Sequence, residues 1–526
     1  MNADSKNVYD VFVIGGGING AGIARDAAGR GYSVCLCESN DLASGTSSAS
    51  SKLIHGGLRY LEHYDFGLVR KALKEREVLL KIAPHIISPM RFVLPHSKDL
   101  RPWWLLRIGL FLYDHLGYRE ILPGTRSLNL SQDPAGEPLR QGFHKGFEYS
   151  DCWVDDARLV VLNAMDAAKK GAQIKVRTKV EKIKRQNGIW IITTRNSLTG
   201  CIEKVSAKVV VNAAGPWVDD VLGVAFERGP VQNVRQVRGS HIVVPKLFDH
   251  EKAYIFQNSD NRIIFAIPYE EEFTLIGTTD VDHGNDLGRI EINQEEVDYL
   301  CKCASEYFEN AISTDDVVWS FSGVRPLYDD GASSAQEATR DYVIEVEEEE
   351  QSLLINIFGG KITTYRRLAE TILEHIEGFL GKRGGGWTGQ SALPGGETGI
   401  EDNGEIAKQL DTRFPFLNTQ NTARLARLYG TCAFKMLKDV TLAEDLGQHF
   451  GNGLYQTEVE YLIENEWART AEDILFRRTK IGITMPDPDA ESLDQYMRER
   501  LQNGADIPVP SVATATGEAR VGGVIQ

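Results

Sequence analysis

"YDVFVIGGGINGAGIARDAAGRGYSVCLCES", residues 9–39, carries the parts of a dinucleotide-binding unit in their working order. Val11, Phe12, Val13 and Ile14 form a short apolar run that reads as a buried parallel strand. Gly15, Gly17 and Gly20 follow as G-x-G-x-x-G, residues 21–30 read as a helix, and residues 32–36 read as a second strand ending at Glu38. Gly15 permits the tight turn, Gly17 lets backbone approach a pyrophosphate, and Gly20 lets helix and strand pack closely. The helix N-terminus offers N–H groups and partial positive charge to phosphates. Glu38 stands about 20 residues beyond the glycines, where a carboxylate binds a ribose; a free 2′-hydroxyl favours FAD or NAD over NADP. A lone glycine motif is weak evidence, but all five parts in order are specific.

Two later segments carry further strand and turn signals, and the first reads as a strand returning to the same sheet. "AKVVVNAAGPWVDD" (207–220) is a strand over Val209–Val211, then a small-residue turn at Ala213, Ala214 and Gly215. "LLINIFGGKITTYRRLAETILEHI" (353–376) is a strand, a Gly359-Gly360 turn, and a long helix starting near Thr363. The N-terminus of that helix is a second place for a dipole to face negative charge. Between them, "GSHIVVP", "AYIFQ", "RIIFAIPY" and "FTLIGTTD" (239–280) are short and β-branched, and predict an antiparallel sheet inserted between halves of the nucleotide-binding domain.

The chain has 526 residues, too many for one ordinary core, so two or three domains are expected. With 58 Lys and Arg against 74 Asp and Glu the formal charge is −16, which argues against a nucleic-acid partner. A local cluster of cations still suits an anionic small molecule. The seven cysteines are scattered; Cys35/Cys37 and Cys301/Cys303 have neither zinc nor redox CxxC spacing, so reduced structural thiols and no metal site are expected. The polar start MNADSKNVYD and the lack of an apolar span of about 20 residues predict neither a signal peptide nor a transmembrane helix.

"GTSSASSKLIHGGLRY" (45–60) gathers hydroxyls, Lys52, His55, two glycines, Arg59 and Tyr60 in one short span. Leu61, Tyr64 and Leu68 resume a helical pattern at once, which speaks against a flexible linker. Thr46 to Lys52 would supply hydroxyls and N–H groups to the cofactor.

Together "IGGGINGAGIARDAAGRG", "TSSASSKLIHGGLRYLEH", "GFEYSDCWVDDARLV", "GSHIVVP", "GTTD", "SGVRPL" and "FGGKITTYRRLAE" resemble the FAD-dependent, membrane-associated glycerol-3-phosphate dehydrogenases of aerobic bacteria, from about residue 10 to 370. The C-terminal "NEWARTAEDILFRRTK" (465–480) is similar to that family too. The wider group shares its fold with D-amino-acid and glycine oxidases. Ala214 stands where that group often carries Thr, which leaves a backbone contact there. The resemblance implies an α/β fold: a FAD-binding Rossmann-like domain with an inserted antiparallel-sheet substrate domain, plus an α-helical C-terminal domain. The boundaries expected are 1–387 for the first two, with flavin segments at about 8–85, 145–225 and 320–385 and substrate or membrane-facing segments at about 86–144 and 226–319. Residues 388–505 form the helical domain and 506–526 a disordered tail.

The resemblance implies oxidation of sn-glycerol 3-phosphate to dihydroxyacetone phosphate, with a hydride passing from C2 to flavin N5 and a membrane quinone reoxidising the flavin. Residues expected at FAD are Gly15, Gly17, Asn19, Gly20 and Glu38; Thr46, Ser47, Ser48, Ser51, Lys52 and Leu53; Val180, Ala214 and Gly215; and Gly359, Gly360, Lys361, Ile362 and Thr363. A phosphate needs convergent cations, and Arg is preferred for its fork. Arg325 in "SGVRPL" and Arg340 in "EATRDYVIE" are the expected ligands with Lys361, a cation at a helix start where the dipole disfavours it. Removal of the hydroxyl proton calls for a base near pKa 7, and His55 and His241 are the two to consider. Arg59, Tyr60, Thr278 and Thr279 complete the expected substrate shell.

"HSKDLRPWWLLRIGLFLYDHLGYRE" (96–120) is apolar from Trp103 to Tyr113 but for Arg107, and Lys98, Arg101 and Arg119 flank it. It is too short to span a bilayer and suits the interface, with a buried substrate-domain helix as the alternative. The expected place is therefore the cytoplasm, on the inner face of the cytoplasmic membrane. Helices over 406–414, 419–429, 457–469 and 471–479 carry no catalytic cluster, and a cap or homodimer contact is their expected role. Two rival functions share these residues: an oxidase that uses oxygen and releases peroxide, and a flavin-binding redox sensor or scaffold without turnover. The second has no need of Arg325, Arg340 and Lys361 together.

Overall fold

The computed structural model describes residues 8–504 apart from 98–100, 118, 230–231, 259, 261, 285, 289, 330–340, 350 and 398–402. Its first sheet has eight strands and a parallel centre. Val34–Cys37, Tyr9–Ile14, Ile202–Asn212 and Ser352–Phe358 lie side by side, with Val11 facing Val34 and Val209, and Val209 facing Leu353. Alternation along these strands sorts the side chains onto two faces. Val11, Val13, Leu36, Val211 and Ile355 pack under the helices Ile18–Gly29, Asp156–Lys169 and Tyr365–Leu380. Phe12, Ile14, Cys35, Val210 and Leu354 pack on the other face against Ile183, Trp190 and Ile192 of the antiparallel pair Thr178–Gln186 and Ile189–Asn196. Four parallel strands thus end along one edge at Ile14, Cys37, Asn212 and Phe358, the edge where open α/β sheets bind ligands.

The second sheet has ten strands and holds the expected inserted strands as Val234–Pro245, Ala253–Gln257, Ile263–Tyr269 and Phe273–Gly277. It is antiparallel except where Ala253–Gln257 runs parallel to Ile87–His96. Lys145–Val154 and Trp319–Tyr328 pair within this sheet, against Ile87–His96 and Val234–Pro245, although the expected boundaries group them with the flavin segments. Their partners are distant in sequence, so no local pattern assigns them to a sheet.

The C-terminal helices Asn403–Arg413, Thr419–Tyr429 and Gln456–Asn465 and the π-helical turn Asp473–Arg478 enclose their own core. A further helix, Asp487–Gly504, follows; it is polar overall and buries Leu493, Met497 and Leu501 at four-residue spacing. The expected tail over 506–526 lies outside the described residues. The apolar segment near residue 103 is a helix, Trp103–Leu116. Leu110 and Tyr113 anchor it in the core, while Trp104 is 63% exposed and Phe111 59%, with Leu105, Ile108 and Leu112 also exposed. Among the described residues no helix is long and apolar enough to cross a membrane.

Candidate active site

A single cavity of about 820 Å³ lies over the strand ends and runs from Glu38 to Arg325, Lys361 and Tyr60. Its first wall is the glycine turn. Gly15 has φ +102°, and a Cβ there would stand 2.6 Å from Ala213 O; a Cβ on Gly20 would stand 1.9 Å from Gly15 O. Gly20 is therefore a packing glycine and does not line the cavity, whereas Gly15, Gly17 and Asn19 do. Gly17 precedes the helix Ile18–Gly29, and Ile18 N donates to Ser47 Oγ at 3.0 Å. Glu38 closes the turn from the far side: Oε2 accepts from Gly16 N at 2.6 Å and Oε1 from Asn40 N at 2.8 Å. Loss of solvation pushes the Glu38 carboxyl up against these donors.

The second wall is the loop that follows. Thr46, Ser47, Ser51, Leu53 and His55 line the cavity. Ser48 and Lys52 do not, which departs from expectation. Lys52 has φ +57°, and this turns its side chain inward, where Nζ meets Asp156 Oδ1 at 3.0 Å, Oδ2 at 3.1 Å and Ser48 O at 3.0 Å. Both members of that ion pair are fully buried. Lys52 thus anchors the loop from below while Ser50 and Ser51 face the cavity. The remaining wall is Val180, Ala214, Gly215 and the turn Gly359–Thr363, with φ +75° at Gly359 and +97° at Gly360. Asn19 Nδ2 donates to Gly359 O at 3.4 Å, and Asn19 Oδ1 is buried without a hydrogen-bond partner among the described residues. Side-chain-free turns, a helix N-terminus, an orphaned amide oxygen and an acid at the end of the second strand in one cavity fit FAD.

Farther along the chain, on the second sheet, Arg325 crosses over Gly239, where a Cβ would stand 2.3 Å from Nη2. Nη1 donates to Asp280 Oδ1 at 2.7 Å and Nη2 to Thr278 Oγ1 at 2.9 Å. Thr278 therefore acts on Arg325 and is not itself part of the cavity wall; nor is Arg59. Arg340 lies outside the described residues. Lys361 Nζ sits 3.4 Å from the centroid of the Tyr60 ring. Tyr60 is seated by Gly57, at φ +74°, whose Cβ would collide with the ring at 2.1 Å.

The two histidines part company. His55 lines the cavity, and its backbone N donates to Thr363 Oγ1 at 3.3 Å, tying the His-Gly-Gly segment to the 359–363 turn. Burial, then the charges of Lys361 and Arg76, push its imidazole down to about 3. His241 is buried behind Ser51, with Nε2 2.8 Å from Ser51 Oγ and its ring stacked on Phe321 at 4.8 Å. It reaches the cavity only through that hydroxyl. Burial, then Arg325 and Lys52, hold it well below the ordinary histidine range. Sequence reasoning did not anticipate Trp217, Asp220, Leu287 or Gly323 on the cavity wall. Trp217, two residues beyond Gly215, was within reach of the motif; Leu287 and Gly323 depend on the second sheet's packing.

The family model for FAD dependent oxidoreductases (DAO) matches residues 10–366, and that for the C-terminal domain of alpha-glycerophosphate oxidase matches 387–501. The chain is 53% identical over 471 residues to D-erythritol 1-phosphate dehydrogenase of Brucella abortus, covering 90% of this chain and 94% of the relative. It is 48% identical over 495 residues to the aerobic glycerol-3-phosphate dehydrogenase of Escherichia coli, covering 94% and 98%. The crystal structure of the glycerol-3-phosphate dehydrogenase from Bacillus halodurans complexed with FAD superposes with a TM-score of 0.74 over 97% of each chain, at 28% identity. The chain belongs to the FAD-dependent oxidoreductase family, within the group of the aerobic glycerol-3-phosphate dehydrogenases, and its cofactor is FAD.

Proposed function

We propose that the protein oxidises sn-glycerol 3-phosphate to dihydroxyacetone phosphate. The observation that carries this is that Arg325 and Lys361 both line the cavity that the glycine turn and Glu38 also line. A fork and an ammonium there suit a phosphate dianion, and fixing the phosphate sets the height of the neighbouring alcohol carbon. Bound FAD would supply the hydride-accepting chemistry. Tyr60 floors the site under Lys361, and Thr278 and Asp280 hold the Arg325 fork in aim. His55 takes the hydroxyl proton in this reading, because it faces the cavity and His241 does not. The Lys361 charge is one of the causes that keep His55 down. A phosphate paired with Lys361 offsets that charge, so substrate binding itself raises the basicity of His55.

A membrane quinone is the electron acceptor in this proposal. The exposed apolar face of Trp103–Leu116 supports it, since a quinone dissolves in lipid and that face suits the bilayer interface. The protein then works peripherally on the inner face of the cytoplasmic membrane. The C-terminal region from residue 388 is read as a separate helical domain.

Anaerobic bleaching of the flavin tests the substrate. Glycerol 3-phosphate should bleach it, and glycerol, lactate and D-amino acids should not. The identity to a D-erythritol 1-phosphate dehydrogenase favours a second reading, in which a four-carbon polyol phosphate is the preferred substrate. Bleaching at lower concentration by D-erythritol 1-phosphate than by glycerol 3-phosphate selects it. Reoxidation by a soluble quinone analogue against oxygen separates dehydrogenase from oxidase.

A further inference from the structure

The charges of "NEWARTAEDILFRRTK" (465–480) have no place in the chemistry above, yet they point at the cofactor domain. Asp41, three residues after Glu38, is 1% exposed. Its Oδ2 accepts from Arg477 Nε and Arg478 Nη1, each at 2.7 Å, and its Oδ1 from Arg478 Nη2 at 2.8 Å. Asp473, on the same π-helical turn, accepts from Arg177 Nη2 at 2.7 Å. Arg177 N in turn donates to Asn40 O at 2.8 Å. Arg477 also bonds Asp473, so the network is closed.

Asp41 and Arg177 bracket the residues that shape the adenosine end. Thr178 N donates to Glu38 O at 2.7 Å, and Ala43 N to Gly16 O at 3.1 Å. A Cβ on Gly16 would stand 2.8 Å from Glu38 Cβ and 2.9 Å from Leu42 Cδ2, so the 38–44 turn already lies against the glycine turn. Movement of Asp41 must therefore carry Glu38 with it.

We propose that Asp41, held by Arg477 and Arg478, is a positioning residue for FAD: the C-terminal domain clasps the 38–44 turn and so sets the Glu38 carboxylate for the adenosine ribose. The proposal rests on the assignment of Glu38 to that ribose. Held groups beyond the contact shell fix the geometry of those within it. Three charge-assisted bonds to one buried carboxylate are strong enough to do so.

The test measures dissociation constants of FAD and of ADP for apoprotein, with melting temperatures of apo- and holoprotein. Asp41→Asn keeps the shape and removes the charge. FAD and ADP should weaken together by about tenfold, the scale of one charge-assisted hydrogen bond. The gap between holo and apo melting temperatures should narrow accordingly, since ligand stabilisation follows the dissociation constant. A purely structural pair would lower both melting temperatures and leave both constants alone; that result overturns the proposal. Arg177→Lys, at the less buried end of the network, gives the same reading if Asp41→Asn yields no folded apoprotein. Arg427→Met breaks a different ion pair, to Glu270, away from the cofactor turn. It should leave both constants unchanged, and equal weakening by Arg427→Met also overturns the proposal. Glu38→Gln checks the underlying assignment by itself: unchanged FAD and ADP binding there removes Glu38 from the ribose, whatever Asp41 does.

Discussion

Lys361 Nζ stands 3.4 Å from the centroid of the Tyr60 ring, which joins the turn after one parallel strand to the end of the loop after another. The ring face stabilises the ammonium and fixes where its charge lies. Tyr60→Leu keeps bulk and removes the π face. Its KM for glycerol 3-phosphate should rise about fivefold, the scale of an exposed-to-desolvated cation–π contact, with flavin content unchanged. Tyr60→Phe keeps the face and should stay near wild type. Equal losses in both would assign the effect to the hydroxyl.

Arg325 is aimed by Asp280 and Thr278 and gives a sharper prediction. Arg325→Ala should raise KM by roughly 100-fold, the scale of a lost charge-assisted pair, while the flavin stays bound. Asp280→Asn leaves the guanidinium in place and frees its aim, so its effect on KM should be smaller than that of Arg325→Ala. Steady-state kinetics on protein of matched flavin content checks both. Unchanged KM in Arg325→Ala would remove this residue from the phosphate site.

Much of this was legible because its signals are local. The strand–glycine–helix–strand–acid order of residues 9–39 fixes backbone shape over a few turns, and the structure has Tyr9–Ile14, Ile18–Gly29 and Val34–Cys37 in those places. The small-residue turn at Ala214 and the Gly359-Gly360 turn are equally local, and both reach the cavity. Lys52 departs from expectation because only its neighbours line the cavity; a positive φ accompanies its turn toward Asp156, whose distance in sequence hides the pairing. His241 sits on a strand whose facing is set by the register to Gly277 and Phe321, and that register is not in its neighbours. The helix Asp487–Gly504 escaped because its apolar residues are few.

The exposed face of Trp103–Leu116 predicts binding to lipid. The double variant Trp104→Ser with Phe111→Ser removes its two most exposed aromatic groups while Leu110 and Tyr113 keep the helix seated. Sedimentation with vesicles containing anionic lipid should fall severalfold. Turnover with a soluble quinone analogue should stay the same, because neither residue lines the cavity. Full retention on vesicles would place the lipid contact elsewhere.

Buried histidines lower stability as the pH falls. Burial, then Arg158, push His85 down to about 3, and His55 lies at about 3 as well. His85 is 3% exposed, and neither ring nitrogen has a hydrogen-bond partner among the described residues. In the unfolded chain a histidine titrates near pKa ~6.5. Between that value and about 3 the unfolded state binds a proton that the folded state refuses, so stability falls as pH falls through this window. The carboxylates Asp10 and Asp473, held low in the fold by Arg383 and Arg477 among others, act below the ordinary carboxylate range. Each such histidine costs about 2 kcal/mol between pH 7 and pH 5. His85→Gln cannot titrate and lies outside the cavity wall, so it should flatten the loss by about that amount without changing KM at neutral pH. Urea unfolding of both proteins at the two pH values measures it. An equal loss in the variant would mean that His85 takes up its proton in the folded state.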